Sequence, residues 1–196
     1  MILIGFVATG QQTDPDAGIA DRLRLANNIN DIETVLDSLG EDLSCYSHLF
    51  LKIPSINPLN PRNIKRISSS FGKRLHPIDK KYKAHNGIDI ASSIGTTVHA
   101  AADGVVEKIS YSKSGYGKSI EIKHSYGFET KYAHMAIITV LKVGQKVKRG
   151  EIVGMVGSTG KSTGNHLHYE IRKNNSFVDP SYFIKPQNSF ITLTSS

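Results

Sequence analysis

Between Ile67 and Lys173 the chain breaks into short alternating runs separated by glycine. The runs are TTVHAAA (96–102), GVVEKISY (104–111), SIEIKH (119–124), FETKYAH (128–134), EIVGMVG (151–157) and HLHYEIRK (166–173). Successive side chains of a strand point to opposite faces, so alternation buries one face and leaves the other for polar work. β-Branched and aromatic residues, common in these runs, fit such a pleated surface. Turns such as SKSGYG and KVGQKVKRG divide them, and no segment of helical period lies between. The pattern predicts an antiparallel all-β domain.

The first part of the chain has a different pattern. Asp14 and Pro15 form an N-cap and first-turn pair. Behind them Leu25, Ile29, Ile32, Leu36, Leu39 and Leu43 recur in steps of 4, 3, 4, 3 and 4, which is a heptad seam. Gly40 interrupts it. A seam of this length is marginal for a lone coiled coil. It can line an amphipathic helix packed on its own domain, or self-pair or hold a partner through 25–43. Residues 53–63, IPSINPLNPRN, hold three prolines and read as an extended linker. The expected organisation is an apolar segment at 1–13, a helical segment at 14–52, a linker at 53–66, the β domain at 67–184 and a tail at 185–196.

Charge divides at the same place. Residues 1–53 hold three Lys/Arg against eight Asp/Glu, whereas 54–196 hold 21 against nine, balances of −5 and +12. A basic β domain favours an anionic partner. The lone Cys45 rules out an internal disulfide. The opening MILIGFVATG is too short to span a bilayer and lacks the basic start and cleavage site of a complete export signal. Membrane anchoring is expected only if it is the remnant of a longer anchor.

Eight histidines are the main chemical resource. In AHNGIDIA, an extended reading puts His85 and Asp89 on one face while Ile88 and Ile90 point the other way. One imidazole and one carboxylate do not hold zinc tightly, and His168 can supply the third ligand. In HLHYEI the residues His166, His168 and Glu170 share a face opposite Leu167, Tyr169 and Ile171. One histidine of the pair would then bind metal and the other stand beside it as an acid–base group. His134, at a strand end, is the remaining candidate for the same pocket. His48, His76, His99 and His124 are given no metal role. The stretch GSTGKSTG hints at a phosphate loop, but the required glycine five residues before Gly160 is Met155, so a nucleotide site is rejected.

Taken in order, SSSFGKRLHP, HNGIDIA, GTTVHAAADGVV, YAHM, VGQKVKRGEIVGMVGSTGKSTGNHLHYEI and DPSYF closely resemble the lysostaphin-type (LytM-like) zinc metallopeptidases over residues 67–184. The resemblance implies antiparallel sheets of duplicated-hybrid-motif type with a groove between loops, and one Zn2+ per chain held by His85, Asp89 and His168. It implies that His134 and His166 are the catalytic pair and that Arg74 is a basic residue near the groove. The implied activity is hydrolysis of peptide cross-links or stem peptides of peptidoglycan in the cell envelope, with no nucleic-acid partner. A different class of function remains open: a non-catalytic wall-binding or hydrolase-activating module recruited through the N-terminal helix. The presence of all five histidine and aspartate positions favours the enzyme.

Overall fold

The computed structural model describes residues 15–27, 29–39, 46–75 and 81–184. Its strands are β1 (Ile64–Ser69), β2 (Gly72–Leu75), β3 (Tyr82–His85), β4 (Ile88–Ser92), β5 (Thr97–His99), β6 (Gly104–Tyr111) and β7 (Lys118–Lys123). They continue as β8 (Phe128–Met135), β9 (Ile137–Ile138), β10 (Lys146–Val147), β11 (Ile152–Met155), β12 (His166–Lys173) and β13 (Ser176–Val178). The main sheet runs β1-β4-β12-β8-β7-β6-β10, with β13 paired to β12. A three-stranded sheet, β5-β11-β9, and the hairpin β2-β3 complete the described strands. The main-sheet pairings are antiparallel, as the short runs and tight turns predict.

The apolar alternates of these strands form the core. Ile88 and Ile90 of β4, Leu167, Tyr169 and Ile171 of β12, Ile120 and Ile122 of β7, and Tyr132 of β8 are fully buried. Each such aliphatic side chain contributes about 1.5–3 kcal/mol by leaving water. The Tyr132 hydroxyl accepts the Ala101 amide at 2.8 Å, so this phenol is satisfied inside the core.

Two sequence expectations change in three dimensions. The segment from His85 to Asp89 is not one strand: β3 ends at His85 and β4 begins at Ile88. The chain bends at Asn86–Gly87, where a Cβ on Gly87 would collide with the Tyr169 carbonyl of β12. Only glycine allows that close approach. The imidazole-bearing face of β12 is also not open. His168 and Glu170 are buried as the apolar alternates are, because the rings of His85 and Tyr116 pack on His168 at 5.0 and 5.5 Å.

The N-terminal region is helical but not one helix. Helix α1 (Pro15–Leu25) stops before α2 (Ile29–Asp37) begins, and the Asn27 amide donates to the Asp31 carboxylate at 2.9 Å in the break. The Asp31 carboxylate thus takes up a backbone amide, a local bond that competes with continuation of the helix. Leu25 of the seam is 75% exposed, whereas Leu23, Ile32 and Val35 are buried in one cluster with the β-domain core. The apolar face packs on its own chain. Leu43, Gly40 and Asp14 lie outside the described residues. After the short α3 (Ser47–Phe50), the proline-rich stretch hydrogen-bonds to the sheet region: Ser55 to the Ala101 carbonyl at 3.2 Å, and His99 to the Pro58 carbonyl at 2.8 Å. The chain is described to α4 (Ser181–Ile184), whose Phe183 meets Phe128 edge-on.

Candidate metal centre

Antiparallel register brings the distant histidines together. His168 of β12 is opposite Asp89 of β4 on one side and Ala133 of β8 on the other. His85, closing β3 just before the bend, reaches the same point. Three donor atoms converge there. His85 Nε2 is 3.2 Å from Asp89 Oδ1 and 3.1 Å from His168 Nδ1, and His168 Nδ1 is 2.8 Å from Asp89 Oδ1. A tetrahedral zinc with ligands at about 2.0–2.1 Å has ligand–ligand separations near 3.3 Å, so the triangle has the right size for one ion.

Its chemistry fits as well. His85 Nδ1 lies 2.7 Å from the Ser70 carbonyl. A carbonyl only accepts, so Nδ1 carries the hydrogen and Nε2 keeps its lone pair. His168 Nε2 lies 2.9 Å from a Glu170 carboxylate oxygen, which by the same reasoning leaves Nδ1 as the inward acceptor. Two lone pairs and a carboxylate aimed at one point repel one another unless a cation sits among them. Burial alone would raise the Asp89 carboxyl pKa; whenever His168 or His85 carries a proton on the nitrogen facing it, the resulting hydrogen bond and opposite charge outweigh burial and hold the group well below the usual carboxylate range. Burial alone would lower His168, yet Asp89 and Glu170 on either side raise it. Without metal, a proton on His168 therefore relieves the repulsion. A divalent ion would displace that proton.

His134 and His166 stand beside this triangle, with ring centroids 4.8 Å apart. His134 Nδ1 donates to the Thr159 carbonyl at 2.8 Å and His166 Nδ1 to the Gly164 carbonyl at 2.8 Å, so both leave Nε2 as the free nitrogen. His166 Nε2 is 3.7 Å from Asp89 Oδ1. Burial pushes His134 down to about 4, helped by the neighbouring imidazoles against the pull of the Thr159 carbonyl, so it is neutral near pH 7. His134 has φ +58°, in the left-handed region near the end of β8, where non-glycine residues are uncommon. The Tyr116 carbonyl accepts its amide at 2.9 Å and fixes this turn of the backbone.

The loop first read as a failed phosphate motif has a different part. Residues 157–164 supply the two carbonyls that orient His134 and His166. No sequence signal reveals this, because main-chain oxygens have no letter. Glu170 and Tyr116 are the other groups to which sequence reasoning gave no role. Glu170 was legible as sharing the His168 face, whereas Tyr116, in a glycine turn, offered no cue. Arg74 lies on β2, but its side chain is outside the described residues. His99 and His124 bond to the Gly150 and Asp103 carbonyls away from the centre, and His76 is outside the described residues.

The sequence pattern of Peptidase family M23 matches residues 83–180, which include His85, Asp89, His134, His166 and His168. The chain belongs to this peptidase family. It is 47% identical over 122 residues to the DD-carboxypeptidase/endopeptidase Mpg of Neisseria meningitidis serogroup B, a match covering 62% of this chain and 28% of that protein. It is 41% identical over 134 residues to the peptidoglycan DD-endopeptidase ShyC of Vibrio cholerae, covering 68% and 30%. The chain thus spans under a third of the curated relatives it matches. A crystallised zinc-containing peptidase from Vibrio cholerae superposes with a TM-score of 0.57 at 36% identity, over 62% of this chain and 37% of that one. The M23 fold and its mostly antiparallel sheets are therefore common to this chain and a zinc-containing peptidase. His85, Asp89 and His168 are a group able to bind one such ion.

Proposed function

We propose that this M23 chain is a zinc-dependent endopeptidase that hydrolyses peptide cross-links or stem peptides of bacterial peptidoglycan, working in the cell envelope. The convergence of His85 Nε2, Asp89 Oδ1 and His168 Nδ1 within about 3 Å supports it most directly. A bound zinc would polarise the scissile carbonyl and bring the pKa of its water from 15.7 to about 7. The remaining work falls to the chain. His134 and His166, with Nε2 facing away from their carbonyl partners, are the pair we assign to proton transfer. One takes a proton at Nε2 as the water oxygen bonds to the carbonyl carbon; the other enters with Nε2 protonated and gives that proton to the amine nitrogen as the C–N bond breaks, and proton exchange with solvent then restores both rings. The carbonyls of Thr159 and Gly164 keep both rings in the tautomer this requires. The basic β domain favours approach to an anionic wall.

Digestion of purified sacculi, with identification of the fragments, tests the substrate. His85→Ala, Asp89→Ala and His168→Ala should each lose bound zinc. His134→Ala and His166→Ala should keep zinc and lose about 10²–10⁴-fold in turnover. Full activity in either of the latter variants would refute the acid–base assignment. An intact chain that bound zinc and sacculi yet released no fragments would favour the non-catalytic reading.

A further inference from the structure

We propose that Glu170 is a positioning residue that locks His168 in its metal-binding tautomer, ties Tyr116 to the same ligand, and is itself held by Lys131. The assignment rests on the zinc reading above and concerns how this chain prepares the site.

Glu170 follows His168 by two residues on β12, so both side chains leave the same face. One oxygen, Oε1, is 2.9 Å from His168 Nε2 and accepts the Tyr116 hydroxyl at 2.6 Å. The carboxylate thus holds the ring nitrogen facing away from the ion and, through Tyr116, a ring packed on that imidazole. Lys131, opposite Glu170 in the β12–β8 register, places Nζ 3.7 Å from Oε2. The same ammonium is 3.4 Å from Glu121 of β7 and 4.1 Å from the Tyr116 ring centroid. A row of alternating charge, Glu170–Lys131–Glu121, crosses three neighbouring strands.

Glu170 is only 1% exposed. A buried ion pair adds little net stability compared with an apolar pair of similar volume, so stability alone is a poor reason for a carboxylate here. Tautomer control is a better one. A neutral imidazole has one N–H, and the acceptor it faces decides which nitrogen stays bare for metal. Outer carboxylates on ligating histidines typically change metal affinity by about 10–100-fold.

The experiment compares wild type, Glu170→Ala and Glu170→Gln in the full chain. Zinc affinity is read by chelator competition, the ligand field by the visible spectrum after cobalt substitution, and the His168 tautomer by nitrogen NMR of the ring. Glu170→Ala should weaken zinc binding by about 10–100-fold and shift the cobalt spectrum. Glu170→Gln keeps the volume and an acceptor oxygen, and should lose less than about tenfold with His168 still protonated at Nε2. A folded alanine variant with wild-type affinity and spectrum would overturn the proposal. Should alanine fail to fold, glutamine decides: undiminished affinity with the proton moved to Nδ1 overturns it equally. Wild type that bound no zinc would instead defeat the metal reading itself, and inactivity on sacculi would leave this assignment untouched.

Discussion

At the scale of single residues, histidine does different jobs according to what its two nitrogens meet. His85, His134 and His166 each donate Nδ1–H to a backbone carbonyl, and their Nε2 atoms remain available. His124 is the contrast. Its Nδ1 lies 2.8 Å from the Asp103 carbonyl and its Nε2 2.7 Å from the Thr130 hydroxyl, so both nitrogens are used and the ring is structural. Burial pushes His124 down to about 4, against the smaller upward pull of Asp103. Its folded pKa lies below the unfolded value near 6.5, so the unfolded chain binds the extra proton first. The contribution is complete above about pH 6.5 and is lost as pH falls toward 4, up to about 3 kcal/mol. Urea midpoints measured from pH 7.5 to 4.5 should fall accordingly, and His124→Gln should flatten part of that slope. A wild-type midpoint constant across the range would contradict the assignment.

At the scale of elements, the site depends on how β8, the 157–164 loop and β12 are held in register. Gly160 shows the tolerance. It has φ +71°, and a Cβ there would run into the Gly117 amide and the Gly115 carbonyl. The Lys161 amide next to it donates to the same Gly115 carbonyl at 2.8 Å. Gly160→Ala must therefore pay both backbone strain and a clash, about 2 kcal/mol. Displacement of the loop would also detach the Thr159 carbonyl from His134. Turnover should fall further than stability accounts for, by tenfold or more, with zinc content retained. Equal activity in a variant that unfolds at the wild-type denaturant midpoint would show that the loop does not position His134.

At the scale of the whole molecule, the helical segment and the β domain share one core. The far end of β12 makes the join. Lys173 Nζ donates to the Arg24 carbonyl at 3.1 Å, and the Asn174 amide group contacts the Arg24 and Ala26 carbonyls at 3.2 and 3.3 Å and the Asn27 side chain at 2.8 Å. These bonds receive the carbonyls left over at the end of α1, the need every helix end has. Asn174 has φ +48°, a conformation asparagine accepts more readily than most residues. Asn174→Ala should cost about 1–2 kcal/mol and open residues 15–39 to proteolysis before the β domain. Cleavage within the sheet first, or no change in the rate of nicking, would argue against this join.

The antiparallel β class was legible in the sequence because strand alternation is a local property of letters, and His85, Asp89 and His168, the ligand set that the family resemblance implies, converge on one point. His168, Asp89 and Ile88–Ile90 announce their faces by spacing alone. Where those faces lead is non-local. The bend at Gly87 and the burial of His168 under the Tyr116 and His85 rings follow from strand order and close packing. So do the carbonyls of Ser70 and Thr159 that choose the tautomers of His85 and His134. The Gly164 carbonyl is local, two residues from His166; those of Ser70 and Thr159 are main-chain atoms 15 and 25 residues away from the rings they orient, and only the tertiary structure could supply them.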